Sequence, residues 1–441
     1  MNSIVVWTGW TAGSLALVAV LAFRLSAPDR RDIFLPGETT AGHYQIELSC
    51  EACHTRYGGV GQDACLNCHS QELDVAEDSH PRSKFTDPRN ADRIRTLDAT
   101  LCITCHVEHR PPITGDMAVT LPADFCAHCH SDVAEERTSH AGLGFQTCAS
   151  AGCHNFHDNR ALYEDFLARN SDSPDLLVSA SVAVRRPLPP PGPSLVVTDT
   201  DGGPHGPTDA ALIDAWAGSA HATGGVNCSG CHTAGGVAWT DAPSLDTCES
   251  CHASQAEGFL AGRHGMRLAA GLEPMSPSLA RLPMRPEAFG RNLDCSSCHG
   301  PHDVDTVRAA VDACLECHQD THSLAYDDSP HSALWRAEWS GNGAAGTGVS
   351  CATCHLPREV QREGADDVVR VQHNQNDNLR PNEKMIRDVC MNCHGLEFSI
   401  DALADRALIE ANFAGRPTVH IESIDMVRRR NNQTNSSGES R

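Results

Sequence analysis

The feature that most narrows what this chain can fold into is a short spacing, Cys-x-x-Cys-His, that returns ten times in 441 residues. It stands at Cys50/Cys53/His54, Cys65/Cys68/His69, Cys102/Cys105/His106, Cys126/Cys129/His130 and Cys228/Cys231/His232. It returns at Cys248/Cys251/His252, Cys295/Cys298/His299, Cys314/Cys317/His318, Cys351/Cys354/His355 and Cys390/Cys393/His394. A wider form, with four residues between the cysteines, stands at Cys148/Cys153/His154. These eleven pairs use all 22 cysteines, and no thiol is left over. Disulfide frameworks and zinc sites also use cysteine pairs, but neither needs histidine directly after the second one. Histidine is 25 of the 441 residues, too scarce for chance to place it there eleven times.

The spacing has a chemical reason. Two thiols this far apart can each add across one vinyl group of a single porphyrin, and the next side chain then falls beneath the ring, where an imidazole nitrogen reaches iron. This is the attachment signature of a c-type haem. The sequence therefore predicts eleven covalently attached haem c groups, with the 22 cysteines as thioether donors. The histidine that closes each motif is expected to be the proximal iron ligand. The widened loop at Cys148/Cys153 can still span two vinyls.

Between about residues 43 and 420 there are about 34 residues per motif, too few for each segment to build an aliphatic core of its own. Aromatic residues are only 5% of the chain, so the porphyrins are expected to supply the missing apolar volume. The fold class that follows is mainly α with extensive loop, cored by haem. It should have two haem-packed halves, little or no sheet, and an N-terminal transmembrane helix. A net charge of −23 excludes nucleic acid as a natural partner and favours redox protein partners with basic patches. The only lysines are Lys84 and Lys384, and no motif replaces its histidine with lysine.

Residues 1–27 read as an N-terminal membrane anchor or signal. Ile4 to Phe23 carry no charge, the length of a membrane-spanning helix. Nothing basic precedes the run, and Pro28 after Leu25-Ser26-Ala27 is a poor cleavage context, which favours an uncleaved anchor over a cleaved signal and secretion. Arg24, Arg30 and Arg31 would by the positive-inside tendency keep the following chain in the cytoplasm. Covalent haem attachment, which takes place outside the bacterial inner membrane, outweighs them and places the body on the periplasmic side. Residues 40–170 form a five-haem domain, 171–207 a Pro/Gly-rich linker, 208–426 a six-haem domain and 427–441 a disordered tail. Helices are expected over Asp132 to Glu136, Asn159 to Arg169 and, capped by Thr208 or Asp209, Ala210 to Ala220. Further ones should run from Asp305 to Cys317, from Asn382 to Cys393 with Gly395 as its stop, and from Ser399 to Phe413.

A six-coordinate haem iron needs a second axial ligand. Fourteen histidines remain for eleven motifs, and the candidate distal ligands are His43, His80, His109, His140, His157, His221, His264, His302, His322, His331, His373 and His420. His109, His157 and His302 each follow a motif histidine by three residues, so on a helix they would serve a neighbouring haem. His43 and His221 each precede a motif's first cysteine by seven residues. His205, within Gly-Pro-His-Gly-Pro, is not expected to ligate, and His128 inside Cys-Ala-His-Cys-His could do so. Met266, Met275 and Met284 are thioether alternatives read here as packing residues.

On these residues the chain resembles the multihaem cytochrome c superfamily, including the tetrahaem and pentahaem electron carriers of bacterial periplasms. Residues from about 210 to 425 also loosely resemble the haem modules of pentahaem nitrite reductases and octahaem hydroxylamine-oxidoreductase-type proteins. The likeness lies in His331-Ser-Ala-Leu-Trp, Gly348-Val-Ser-Cys-Ala-Thr-Cys-His and His373-Asn-Gln-Asn-Asp-Asn-Leu-Arg-Pro. It departs from the former in having no Cys-x-x-Cys-Lys. The latter need a tyrosine crosslinked to an open haem, for which only Tyr326 is placed. The resemblance implies a membrane-anchored periplasmic carrier passing electrons along eleven mostly bis-histidine haems. Quinol or a membrane dehydrogenase would be the donor, and a soluble or outer-membrane protein the acceptor. An oxidoreductase acting on a small nitrogen or sulfur oxyanion at one open haem, and a subunit of an extracellular cytochrome filament, are the alternatives.

Overall fold

The computed structural model of the chain describes residues 3–27, 30–76, 80–88, 91–137, 140–142, 155–158, 164–180, 182–184, 192–202, 209–236, 238–363, 366–379 and 382–438. Helix, counting 3-10 turns, takes up about 53% of it. Strand is confined to two small antiparallel pairs, His54–Thr55 with Gly59–Val60 and Arg358–Glu363 with Asp366–Val371. The fold is mainly α with long loops.

The chain opens with the helix Ser3–Leu25, which has no buried residue. At 1.5 Å per residue its 23 residues extend about 34 Å, enough to cross a hydrocarbon layer of about 30 Å. Thr8 and Thr11 do not interrupt its apolar surface, because their hydroxyls donate to the carbonyls of Ile4 and Trp7 one turn back, each at 2.9 Å. Arg24 ends the run and pairs with Asp32 at 2.8 Å.

Two compact units follow from the contacts: Met1–His130 with Met266–Glu273, and Ser131–Gly265 with Pro274–Arg441. In the first unit the longest helix after the N-terminal one is Gln62–Ala76, and the rest are turns of three to six residues. Among its described residues Leu272 is the one buried hydrophobic side chain; Thr39, Gln45, Ser49 and Arg267 are buried polar ones. Arg267 fastens the 266–273 segment by donating to the carbonyls of Gln45 at 2.8 Å and Glu273 at 3.0 Å. The aliphatic contribution of the polypeptide here is too small for a core.

The second unit has two apolar clusters. One joins Leu167, Ile386, Leu396, Ile400, Ile424 and Val427, and the other Ala310, Val311 and Tyr326. The first is built by helices Glu164–Asn170, Leu396–Ala404 and Ser423–Gly438. The disordered tail expected over 427–441 is instead helical as far as Gly438. The first turns of that last helix are held by buried Val427 and by Arg428, which donates to Glu397 Oε2 at 2.8 Å.

Other expected helices differ in extent. Asp209 caps Ala210–Ala217, its carboxylate accepting from Ala211 N–H at 2.9 Å, whereas Thr208 and residues 159–163 lie outside the described residues. Asp305 to Cys317 breaks at Val311 (φ −141°, ψ −63°), and Asn382 to Cys393 breaks at Val389 (φ −121°, ψ −66°). Both are β-branched residues with low helix preference, and each is buried by leaving the helix. Gly395 does not stop a helix but precedes Leu396–Ala404. A Cβ there would lie 2.4 Å from the Pro174 carbonyl oxygen, so glycine is what lets the 173–175 backbone pass so close. That segment, within the stretch read as a linker, is tied to the motif at 390–394 by the Asp175 carbonyl, which accepts from His394 Nδ1 at 3.0 Å, and just beyond it Leu177 N–H donates to Cys393 O at 2.8 Å.

Candidate cofactor sites

A motif can serve one planar group only if its two thiols and its imidazole emerge on one side of a short turn. At Cys228–His232, Cys295–His299 and Cys351–His355 a single helical turn carries all three. The residue just before the first cysteine starts that turn. Asn227 Oδ1 accepts from Cys228 N–H at 2.8 Å, Asp294 Oδ1 from Ser297 N–H at 2.8 Å, and Ser350 Oγ from Thr353 N–H at 3.2 Å. Ser297 and Thr353 reciprocate by accepting from the cap's own N–H, at 3.1 and 3.0 Å. These caps were not read from the sequence, although Asn, Asp or Ser directly before cysteine was a usable signal. The 20 described cysteines form no disulfide, and Cys148, Cys153 and His154 lie outside the described residues.

Five of the expected thioether donors, Cys68, Cys129, Cys251, Cys317 and Cys393, depart from that enclosed, single-turn arrangement. Cys68 and Cys251 are exposed, because the long helices Gln62–Ala76 and Leu245–Ala261 carry them on sides that the rest of the chain leaves open. Cys251 is also followed at once by a break in its helix, at His252 (φ −115°, ψ 43°). Cys129 lies just past the 3-10 turn Phe125–His128 that holds Cys126, its N–H donating to the Cys126 carbonyl at 3.2 Å, and Cys317 and Cys393 lie likewise past Asp312–Leu315 and Cys390–Asn392, donating to the Cys314 and Cys390 carbonyls at 3.1 Å each. The two thiols of those motifs therefore do not share one α-helical turn. For Cys68 and Cys251 the expectation rests on sequence spacing, not on enclosure by the fold.

Eight motif histidines each face a histidine from elsewhere in the chain. His43 lies opposite His69, with ring centroids 5.9 Å apart, and His80 opposite His130 at 6.1 Å. In the second unit the pairs are His221 with His252 at 5.9 Å, His302 with His232 at 6.2 Å and His264 with His318 at 6.3 Å. His373 faces His299 at 6.3 Å, His322 faces His355 at 6.1 Å, and His331 faces His394 at 6.4 Å. Two metal–nitrogen bonds of about 2 Å, with about 1.1 Å from each nitrogen to its ring centre, put two rings across one iron at about 6.2 Å. The observed separations fit that requirement. His43 and His221 behave alike: each passes over the motif seven residues ahead and meets the histidine of the next one.

Ring orientation points the same way. Nδ1–H of His232 donates to the Thr240 carbonyl at 2.6 Å, His322 to Ile409 at 2.5 Å, His373 to Val371 at 2.9 Å and His394 to Asp175 at 3.0 Å. Such a bond fixes the tautomer and leaves Nε2 without a proton; at His322 the Asn412 amide lies 3.4 Å from that nitrogen. Carboxylates take the carbonyl's place at His43, whose Nδ1 lies 2.6 Å from Glu108, and at His69, 3.0 Å from Glu72. Burial, with His318, pushes His264 down to about 4; burial and His322 push His355 to about 4, and burial and His394 push His331 to about 4. These rings are neutral at physiological pH, the form a metal ligand takes.

The motifs also adjoin one another. The thiols of Cys65 and Cys102, of Cys248 and Cys295, and of Cys314 and Cys351 lie close enough to perturb one another's acidity. Cys231 lies within electrostatic reach of Cys248, Cys298 of Cys314, and Cys354 of Cys393. In the second unit this makes consecutive neighbours of the motifs beginning at 228, 248, 295, 314, 351 and 390. Burial pushes Cys298 up to about 11 and Cys354 to about 12, whereas the neighbouring Cys295 thiol brings Cys248 down to about 7.

The remaining candidates lie elsewhere. His420, expected among the second ligands, has both nitrogens engaged, Nδ1 with Asp401 at 3.0 Å and Nε2 with Asp425 at 2.9 Å. Those two carboxylates, Asp425 foremost, raise it to about 9, so it carries a proton where a ligand needs a lone pair. With Glu397 it forms the one group of three metal-ligating side chains found among the described residues, and Arg428 already neutralises Glu397 there. His109 donates Nδ1–H to the Gly37 carbonyl at 2.8 Å. His54 and His106 are described outside the eight pairs; His140 and His157 border stretches outside the described residues, and His205 lies in one. His128 is exposed. Met275 is buried, and Met284 pairs through its backbone with His318, whose ring already faces His264. Tyr326 is 3% exposed and donates its hydroxyl to the Val349 carbonyl at 2.9 Å, a packing arrangement that burial accentuates by raising its pKa.

Residues 42–131 match the family model for cytochrome c3. The stretch holds the motifs at 50–54, 65–69, 102–106 and 126–130, together with His43, His80 and His109. The match supports a multihaem c-type cytochrome with covalently bound haem c and a part in electron transfer. No curated protein and no solved structure matches the chain.

Proposed function

We propose that the chain is an eleven-haem electron carrier, fixed to the periplasmic face of the bacterial inner membrane by Ser3–Leu25. The observation that supports this most directly is the set of eight histidine pairs, each uniting a motif residue with a distant one at 5.9–6.4 Å. The cysteine pairs would tether haem c, and the paired imidazoles would hold its iron from both faces. A haem so ligated supplies a one-electron couple that cycles without changing ligands. The chain's residues contribute rigidity, because anchored rings such as His232 and His373 cannot swing between redox states. They contribute continuity, because consecutive motifs of the second unit adjoin through their cysteines. The charge of −23 adds attraction for a basic donor or acceptor protein, and a quinol or membrane dehydrogenase suits the anchored end.

Maturation of the chain in a host equipped for c-type cytochromes tests the reading. Pyridine haemochrome and intact mass should return eleven haems per chain, and electron paramagnetic resonance should be dominated by low-spin ferric signals. Zinc in their place, or far fewer haems, would reject it.

A further inference from the structure

The histidine pairs differ in what stands behind the rings. At His232, His322, His373 and His394 a backbone carbonyl accepts the Nδ1 proton. His318 has Asp320 nearby, but at 3.7 Å, beyond a hydrogen bond. The pair His43/His69 is unlike these because both of its rings meet a carboxylate at hydrogen-bond distance. Glu108 Oε1 lies 2.6 Å from His43 Nδ1, and Glu72 Oε2 lies 3.0 Å from His69 Nδ1. Neither carboxylate is there by accident of a loose side chain. Glu108 also accepts from Thr40, from its N–H at 2.7 Å and its hydroxyl at 2.9 Å, which fixes both oxygens. Glu72 follows His69 by one turn of Gln62–Ala76, the spacing that keeps two side chains on one helix face.

A carboxylate that draws on the Nδ1 proton makes the opposite nitrogen more basic, and a more basic ligand favours ferric over ferrous iron. A carbonyl does the same more weakly because it carries no charge. We propose that Glu108 and Glu72 are positioning residues that hold the site between His43 and His69 at a lower potential than uncharged acceptors behind its rings would give. This rests on the haem reading above. It goes beyond that reading by naming the two side chains that set the potential of one site.

The test uses the full, haem-loaded chain with Glu108→Gln, Glu72→Gln and both together, followed by spectropotentiometric titration and haem count. Each glutamine keeps a hydrogen-bond acceptor but removes the charge. A loss of about tenfold in ferric preference per glutamate is expected, which is about 59 mV upward for one electron. One component of the titration should shift upward, further in the double variant, and the haem count should be unchanged. Asp92→Asn, the same charge change at an exposed ion pair with Arg95 in the same unit, should leave that component in place. A titration in which no component moves in the double variant at full haem count would overturn the proposal while leaving the carrier reading intact. If Glu108→Gln lowers the haem count by loosening Thr40, Glu72→Gln alone decides, by moving that component or failing to. A wild-type chain without low-spin haem would reject the earlier reading instead.

Discussion

An imidazole with Nδ1 tied to a carbonyl has one nitrogen left to offer, and its direction is set by backbone rather than by side-chain freedom. His331 is held differently, by burial opposite His394 on the first turn of Pro330–Trp339. Replacing it, His331→Ala, removes one face of that site while Cys390 and Cys393 stay. The expected result is an unchanged haem count with a new high-spin ferric signal worth about one haem, read by electron paramagnetic resonance. The thiols and the histidines beside them are legible in the sequence because covalent chemistry fixes their spacing within five residues. How deeply each thiol sits is not, as the exposed Cys68 and Cys251 show, because that depends on which helix face the rest of the chain covers. The eight partner histidines all stand among the candidates the sequence offers, but which motif each one meets is hidden, because that answers only to the path of the folded chain. His302 sits three residues after His299 yet faces His232, and His420 reads as a ligand only while Asp401, nineteen residues earlier, is invisible as its neighbour.

Helices here are short because the motifs dictate where backbone must turn. Val311 and Val389 each end a helix that periodicity would have continued, and both gain burial by doing so. The caps Asp294 and Ser350 restart the chain in the orientation its next motif needs. The terminal helix shows how polar contacts and packing divide the work. Ile424 and Val427 enter the core, while His420 just before the helix bridges Asp401 and Asp425 at the surface. The folded pKa of His420, about 9, lies above its ordinary 6.5. Its contribution to docking is therefore complete below about 6.5 and disappears as pH rises through about 9. Because the ring is largely exposed, the effect is a modest loosening of Ser423–Gly438. Hydrogen exchange of that helix, after correction for the intrinsic rate, should speed up between pH 7 and 10, and His420→Ala should abolish the dependence.

At the scale of the whole chain, the two units differ in how much the polypeptide does for itself. The second has two apolar clusters, the first a single buried leucine among its described residues. Composition anticipates the first unit, since so few aromatic residues cannot line eleven motifs, but not the apolar clusters of the second. Replacing Ser3–Leu25 by a cleavable secretion signal is expected to move the protein from membrane to soluble periplasm at unchanged haem count, as judged by fractionation and absorbance. Retention in the membrane would mean that something other than this helix holds it there. The pairing of distant histidines also bears on biogenesis. His373 comes 74 residues after His299, and His302 comes 70 after His232. A polypeptide exported from its N-terminus would thus carry these two motifs half-finished until a later stretch emerges, whereas the partners of the other six precede them. A nonsense mutation near codon 370 would leave the earlier thiols in place yet deprive His299 of its opposite number, so damage at one end of the gene reaches back to sites translated long before.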